Sequence, residues 1–199
     1  IQLINKDLMT CIDIGANVDC RPEQLLSFAV IGDVFARQFW NISSPRVAIL
    51  SVGAESGKGN RQVREASTLI AGTGLNFIGN IEPNDLSHQK ADVVVCDGFV
   101  GNVVMKLTEG LGSALSIHLR KKFATKFPKD ELEELLADVY QLCTPAEAAG
   151  GGPLFGVNGV SVVGHGSAKA EAVTRAIGTA KFAVQADFIS NVNEQLSKI

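Results

Sequence analysis

The sequence predicts an α/β protein: an open, mainly parallel sheet with helices on both faces, from which a helical hairpin protrudes. Three observations lead there. Short apolar runs alternate with helical patterns along the whole chain. Two of those runs, Arg46–Val52 and Ala91–Cys96, are almost continuously apolar, as parallel strands covered on both faces require. Glycine turns follow several of the runs, at the junctions where open sheets bind their ligands.

Taken in order, Thr10–Ile14 reads as a strand ending at Gly15, and Pro22–Trp40 as a helix with Leu25, Phe28, Ala29, Gly32, Phe35, Ala36 and Phe39 on one face. Arg46–Val52 is the next strand and Arg61–Ala71 the next helix. Asn76–Ile81 and Ala91–Cys96 follow as strands. A long helix starts near Asn102, Pro128 interrupts it, and a second helix covers Asp130–Gln141. The stretch Ala148–Ala168 carries no Asp, Glu, Lys or Arg, but its seven glycines and one proline unfit it for a membrane-spanning helix. It reads as a glycine loop feeding a buried strand, Gly159–Val163. A last helix, Ser167–Ser190, has the apolar stripe Val173, Ala176, Ile177, Ala180, Val184 and Phe188, with Ser167 placed to cap it. The whole, 1–199, is expected to be one α/β domain with 102–142 as a hairpin excursion.

At 46% hydrophobic and 20% charged residues the chain has enough apolar matter for a real core. A net charge of −3 gives no global basic field to recommend nucleic acid as a partner. Cys11, Cys20, Cys96 and Cys143 form no CxxC pair and have no histidine at metal-binding spacing, so no metal site is expected. Scattered thiols of this kind fit a reducing, cytoplasmic setting.

Four segments carry candidate chemistry. GAESGKGN, Gly53–Asn60, misses the P-loop pattern, because three residues rather than four precede the Gly-Lys pair and Gly59 follows Lys58. What remains is an ammonium on a turn with Gly57 and Gly59 ahead of a helix start, which suits a phosphate; a plain strand-to-helix connection with a solvated lysine fits the same residues. CDGFVGNVVMK, Cys96–Lys106, sets Asp97, Gly98, Gly101 and Asn102 between a strand and a helix. Asp97 there either takes part in proton transfer or caps the helix. GVNGVSVVGHGSAKAE, Gly156–Glu171, puts His165 between glycines at a strand end, as a structural residue or one facing a cleft. DIGANVDC, Asp13–Cys20, is a fourth strand-end turn whose two aspartates need not pair. Beyond them, Val104, Leu107, Leu111, Leu115, Leu119 and Phe123 form a helical stripe. It leads into Arg120, Lys121, Lys122, Lys126 and Lys129 interleaved with Phe123 and Phe127. That pattern fits a core or dimer face with a solvated basic end, or a helix lying on an anionic membrane.

In their order, CIDIGANVDC, PRVAILSVGAESGKGN, NFIGNIEPNDL, ADVVVCDGFVGNVVMKLTEG and GGPLFGVNGVSVVGHGS resemble the PlsX family of phosphate acyltransferases, from about Cys11 to about Ala180. The resemblance implies transfer of a fatty acyl group from acyl carrier protein to inorganic phosphate, for phospholipid synthesis. It implies a fold similar to isopropylmalate dehydrogenase and phosphotransacetylase, a homodimer, no cofactor, and peripheral attachment to the membrane through 102–142. Site residues follow on the matching segments. Lys58, Gly57, Gly59, Gly98 and Gly101 are expected at phosphate, with Asn102 at an oxyanion, His165 in polar contact or proton transfer, and Asp97 orienting them. Full chains of the family carry a further N-terminal block, so a fragment is expected, and its glycine loop reads Ala54-Glu55-Ser56 where relatives are more acidic. Two alternatives stay open. A nicotinamide-dependent oxidoreductase would want a GxGxxG fingerprint, which the sequence does not offer. A non-catalytic module would keep only the dimer and membrane contacts.

Overall fold

A computed structural model describes residues 9–144, 150–164, 166 and 168–199. Four strands, β1 (Thr10–Ile12), β2 (Val47–Leu50), β3 (Phe77–Ile81) and β4 (Val93–Val95), form a parallel sheet in the order β1-β4-β2-β3. Side chains alternate across it, as the period of a strand dictates. Val47, Ile49, Val93 and Val95 face one layer, with Leu25, Ala29 and Ala36 of α1 (Pro22–Trp40) and Ala66 and Ile70 of α2 (Arg61–Ala71). Ala48, Leu50, Val94 and Cys96 face the other, with Leu86 of a 3-10 turn (Pro83–His88) and Val100 and Val104 of α3 (Gly98–Phe123).

Helix α1 is buried on two sides. Gly32 lets it approach the sheet, since a Cβ there would stand 2.4 Å from Val93 Cγ1. Its far side carries Phe35, Phe39 and Trp40 into an aromatic cluster with Phe155, Phe182 and Phe188. That cluster joins α1 to α5 (Ala170–Gln185) and α6 (Phe188–Leu196). Helix α4 (Lys129–Cys143) packs back along α3 to complete the hairpin.

Several expectations change in detail. Helix α3 begins at Gly98, one turn earlier than the sequence suggests, because Asp97 caps it and both following glycines are helical. Gly159–Val163 does not enter the main sheet. Its ordered part, β6 (Ser161–Val163), pairs antiparallel with β5 (Gly152–Leu154), a strand hidden in the glycine-rich sequence, and Val163 is exposed rather than buried. The last helix is two, broken at Ala186 and Asp187, where Asp187 takes a left-handed φ of 50°. Its expected stripe is largely outside: Val173, Ile177 and Val184 are exposed, Phe188 alone of the six is buried as expected, and Ala172 and Ala183 are buried in place of the others. Lys169 holds the N-cap position of α5, without a side-chain bond, in place of the expected Ser167, which lies outside the described residues.

Candidate active site

Parallel strands end together, so the loops after β1, β2 and β4 gather at one end of the sheet. The chain leaves β1 and β2 toward the α1–α2 layer but leaves β4, which lies between them, toward the opposite layer. Connections diverging from neighbouring strands open a crevice at their carboxyl ends, the usual ligand position in such sheets. The register pairs Ile49 with Val95, so β2 and β4 end within one residue of each other.

The loop after β1 is organised by Asp13, a residue the sequence reading left without a role. Its buried carboxylate accepts from the amides of Gly15 (2.9 Å), Ala16 (2.7 Å) and Asn17 (2.7 Å) and from the Asn17 side chain (2.9 Å). A carboxylate bonded by successive amides fixes a turn by charge-assisted hydrogen bonds. The signal was present as Asp followed by Gly and Asn at a strand end.

Helix α3 is pressed against that turn. A Cβ on Gly101 would stand 1.9 Å from the Asp13 carbonyl oxygen, and one on Gly98 would stand 2.8 Å from that of Asn17. Only glycine permits this approach. The Gly98 amide donates to Asn17 O at 2.7 Å and the Gly101 amide to Asp97 O at 3.0 Å. Two amides expected to face an anion are thus already bonded within the protein, and the glycines act by packing. Asp97 caps the helix, accepting from the Val100 amide at 2.8 Å. Asn102 is exposed one turn in, and its side chain lies beside Gly15.

The Gly53–Asn60 loop follows β2. Gly57 and Gly59 take φ of +90° and +105°, conformations open to glycine, and Lys58 between them is exposed. Asn60 caps α2, accepting from the Val63 amide at 2.8 Å. From β3, Asn80 holds the loop: its side-chain amide donates to the carbonyls of Glu55 (3.1 Å) and Lys58 (3.3 Å), and Ser67 donates to its oxygen (3.1 Å). Asn80 lies within the segment NFIGNIEPNDL, where no local pattern marks it as a latch.

Cys96 lies at the floor, with its thiol 4.0 Å from that of Cys11 and donating to Asp13 O at 3.3 Å. Contact with Cys11, burial and the negative charge of Asp97 and Asp13 push its pKa well up, so it stays a neutral thiol. Val18 and Val52 on the loops after β1 and β2, and Phe99 in the first turn of α3, are exposed. The end of the sheet therefore offers an ammonium, a helix start and an exposed carboxamide together with apolar side chains, a combination suited to an anion and an apolar chain. His165 lies outside the described residues; in the sequence it follows β6, which is not a strand of this sheet. Among the described residues no cluster of His, Cys, Asp and Glu is arranged to hold a metal ion.

Comparison with known proteins gives these features a context. The family model described as "Fatty acid synthesis protein" matches residues 3–191. A protein of Elusimicrobium minutum named "Phosphate acyltransferase" is 41% identical over 198 residues, covering 97% of this chain and 58% of its own. Proteins of the same name from Desulfitobacterium hafniense and Lawsonia intracellularis are 42% and 44% identical over 193 and 177 residues, covering 94% and 86% of this chain and 57% and 51% of theirs. The chain spans somewhat more than half the length of these relatives.

Proposed function

The chain belongs to the fatty acid synthesis protein family, and on that premise we propose that it carries the phosphate-binding part of an enzyme that moves a fatty acyl group from acyl carrier protein to inorganic phosphate. The observation that carries this reading is Lys58 on its glycine loop, ahead of α2, at the carboxyl end of a parallel sheet. The name "Phosphate acyltransferase" on the relatives supports it. The same relatives give the oxidoreductase alternative no support.

The reaction asks little covalent chemistry of the protein. A phosphate oxygen attacks the thioester carbonyl, the new C–O bond forms, the C–S bond breaks, and the carrier thiolate leaves and takes up a proton. The protein must hold the phosphate, orient it and stabilise charge on the carbonyl oxygen. Lys58, with the backbone at Gly57 and Gly59, holds the phosphate. Asn102 meets the carbonyl oxygen, and Asp97 and the two glycines fix the helix start that presents it. His165 supplies a polar contact or the proton to the leaving group. The neutral Cys96 takes no part as nucleophile.

The assay is phosphate-dependent loss of acyl-acyl carrier protein, run with this chain alone and joined to the N-terminal part that its relatives possess. Lys58→Ala should raise the KM for phosphate about ten- to hundredfold, the loss of a charge-assisted bond, and change that for the acyl carrier far less. An unchanged phosphate KM removes Lys58 from the site. Absence of turnover in both forms leaves the non-catalytic module.

The hairpin belongs to the same proposal as a dimer and membrane element. Among the described residues no helix is long and apolar enough to cross a membrane. Leu107, Leu111 and Leu115 are exposed, and at the tip Lys122 and Lys126 lie 5.8 and 5.7 Å from the centre of the Phe123 ring. Arg120 is engaged by Glu133, while Lys121, Lys122, Lys126 and Lys129 are exposed, and of these Lys121, Lys122 and Lys126 are the cations set to meet anionic lipid. Changing these three to Gln should weaken binding to anionic vesicles, each being worth about 1 kcal/mol near the surface. Binding indifferent to lipid charge and salt overturns the electrostatic part.

A further inference from the structure

Ser51 directly follows β2 and is buried, yet its hydroxyl has no hydrogen-bond partner among the described residues. Its amide is in order, continuing the ladder to Ile81 O at 2.9 Å. A hydroxyl is small and rotates freely, so one left unbonded in the interior has a cost and calls for a reason. The reason lies in what covers it. A Cβ on Gly59 would stand 2.9 Å from Ser51 Oγ, which places the hydroxyl directly beneath the turn that carries Lys58 and leads into α2. That turn is glycine-hinged at positions 57 and 59, and Asn80 latches it through two bonds of 3.1 and 3.3 Å. At the start of α2, Asn60 bonds the Val63 amide, while a helix start directs its other first-turn amides outward.

We propose that Ser51 is a phosphate ligand, uncovered when the Gly53–Asn60 turn lifts, whose hydroxyl donates to one phosphate oxygen while Lys58 and the start of α2 hold the others. The inference rests on the proposed phosphate site and adds a specificity residue to it. A tetrahedral anion is thereby held from the sheet as well as from the loop, so the closed turn and the bound anion compete for one position. Among the described residues the Ser51 hydroxyl bonds nothing while the turn is closed, and it contributes only when the anion arrives.

The test needs only this chain and inorganic phosphate, with chloride at matched ionic strength as control. Phosphate affinity is read by calorimetry and by amide exchange across 53–60, for the unmodified chain, Ser51→Ala and Lys58→Ala, and melting is followed without phosphate. Ser51→Ala is expected to weaken phosphate about tenfold, to abolish the phosphate-induced change in exchange at the turn, and to leave the melting temperature unchanged or raised. If Ser51→Ala binds phosphate like the unmodified chain while Lys58→Ala does not, the role of Ser51 falls and the phosphate site stands. Lower melting for Ser51→Ala without phosphate shows that the hydroxyl has a structural partner and overturns the inference. If the unmodified chain binds no phosphate, the inference falls together with the site.

Discussion

Val47, Ile49, Val93, Val94 and Val95 in the sheet have no exposed surface, while Leu107, Leu111 and Leu115 on α3 keep 69%, 53% and 40% of theirs. Both regions are written in aliphatic residues, but only the sheet is covered by this chain. In the hairpin the α3–α4 seam uses small residues, Gly112 and Ser116, against Leu132, Leu136 and Cys143; a Cβ on Gly112 would reach within 2.4 Å of Cys143 Cβ. The leucines are thereby left facing outward and exposed. An apolar repeat at helical spacing shows that a face exists without saying whether the covering layer lies in the same molecule.

Two glycines of α3 give the sharpest test of this contrast. Gly101→Ala drives a methyl into the Asp13 carbonyl, and overpacking against backbone that cannot give way should cost about 3 kcal/mol or more. Gly110→Ala, on the same helix where a Cβ meets nothing within 4 Å, should instead stabilise by about 0.5–1 kcal/mol. Urea unfolding of both variants decides it, and equal effects would dissolve the distinction between the wedged start of α3 and its open middle. Next in size, Asp13→Ala removes the acceptor for three amides and should cost about 2 kcal/mol, with faster amide exchange at Gly15, Ala16 and Asn17.

The smallest effects come from two ion pairs. Arg46 grips Asp92 through Nε (3.0 Å) and Nη2 (2.9 Å) beside the sheet, and Arg120 grips Glu133 in the same two-pronged way on the hairpin. Burial pushes the pKa of Asp92 upward, but hydrogen bonds from the Arg46 side chain and backbone and its positive charge outweigh that and leave it lowered. A carboxylate so held adds stability above its unfolded pKa, near 3.9, and loses it as pH falls through the depressed folded value. Acid titration of stability should therefore show a steeper fall below about pH 4 for the unmodified chain than for Asp92→Asn. Glu133→Gln, on an exposed pair, should change stability less, and added salt should erase the difference.

The sequence made helices with chemical boundaries readable. Pro22 at its first position sets α1, and Asn60 before Arg61 sets α2; both spans agree with the structure. Strand ends were over-read, because apolarity outlasts pairing: Val52 continues the run of β2 but is 80% exposed beyond it. Gly98 and Gly101 signalled a turn, although in α3 they serve contact with a loop more than eighty residues away, which no local pattern encodes. β5 was hidden among glycines and a proline. The break at Asp187 was masked because the apolar spacing runs on across it. Of the site, the three loops were legible as glycine-bearing strand ends. The roles of Asp13, Asn80 and Ser51 depend on partners distant in sequence or on burial.

Helix α3 has 26 residues, so at 1.5 Å per residue it is a rod about 39 Å long. One end is wedged against the Asp13 turn and presents Asn102, and the other carries Lys121, Lys122 and Phe123. A single continuous helix joins the crevice to the tip, so their separation and their angular phase are set by residue number alone. Inserting one residue near the middle would rotate the tip by about 100° against the crevice and lengthen the rod by about 1.5 Å. The crevice is thereby held at a fixed distance from the tip and turned in a fixed direction, as a gauge block sets a tool.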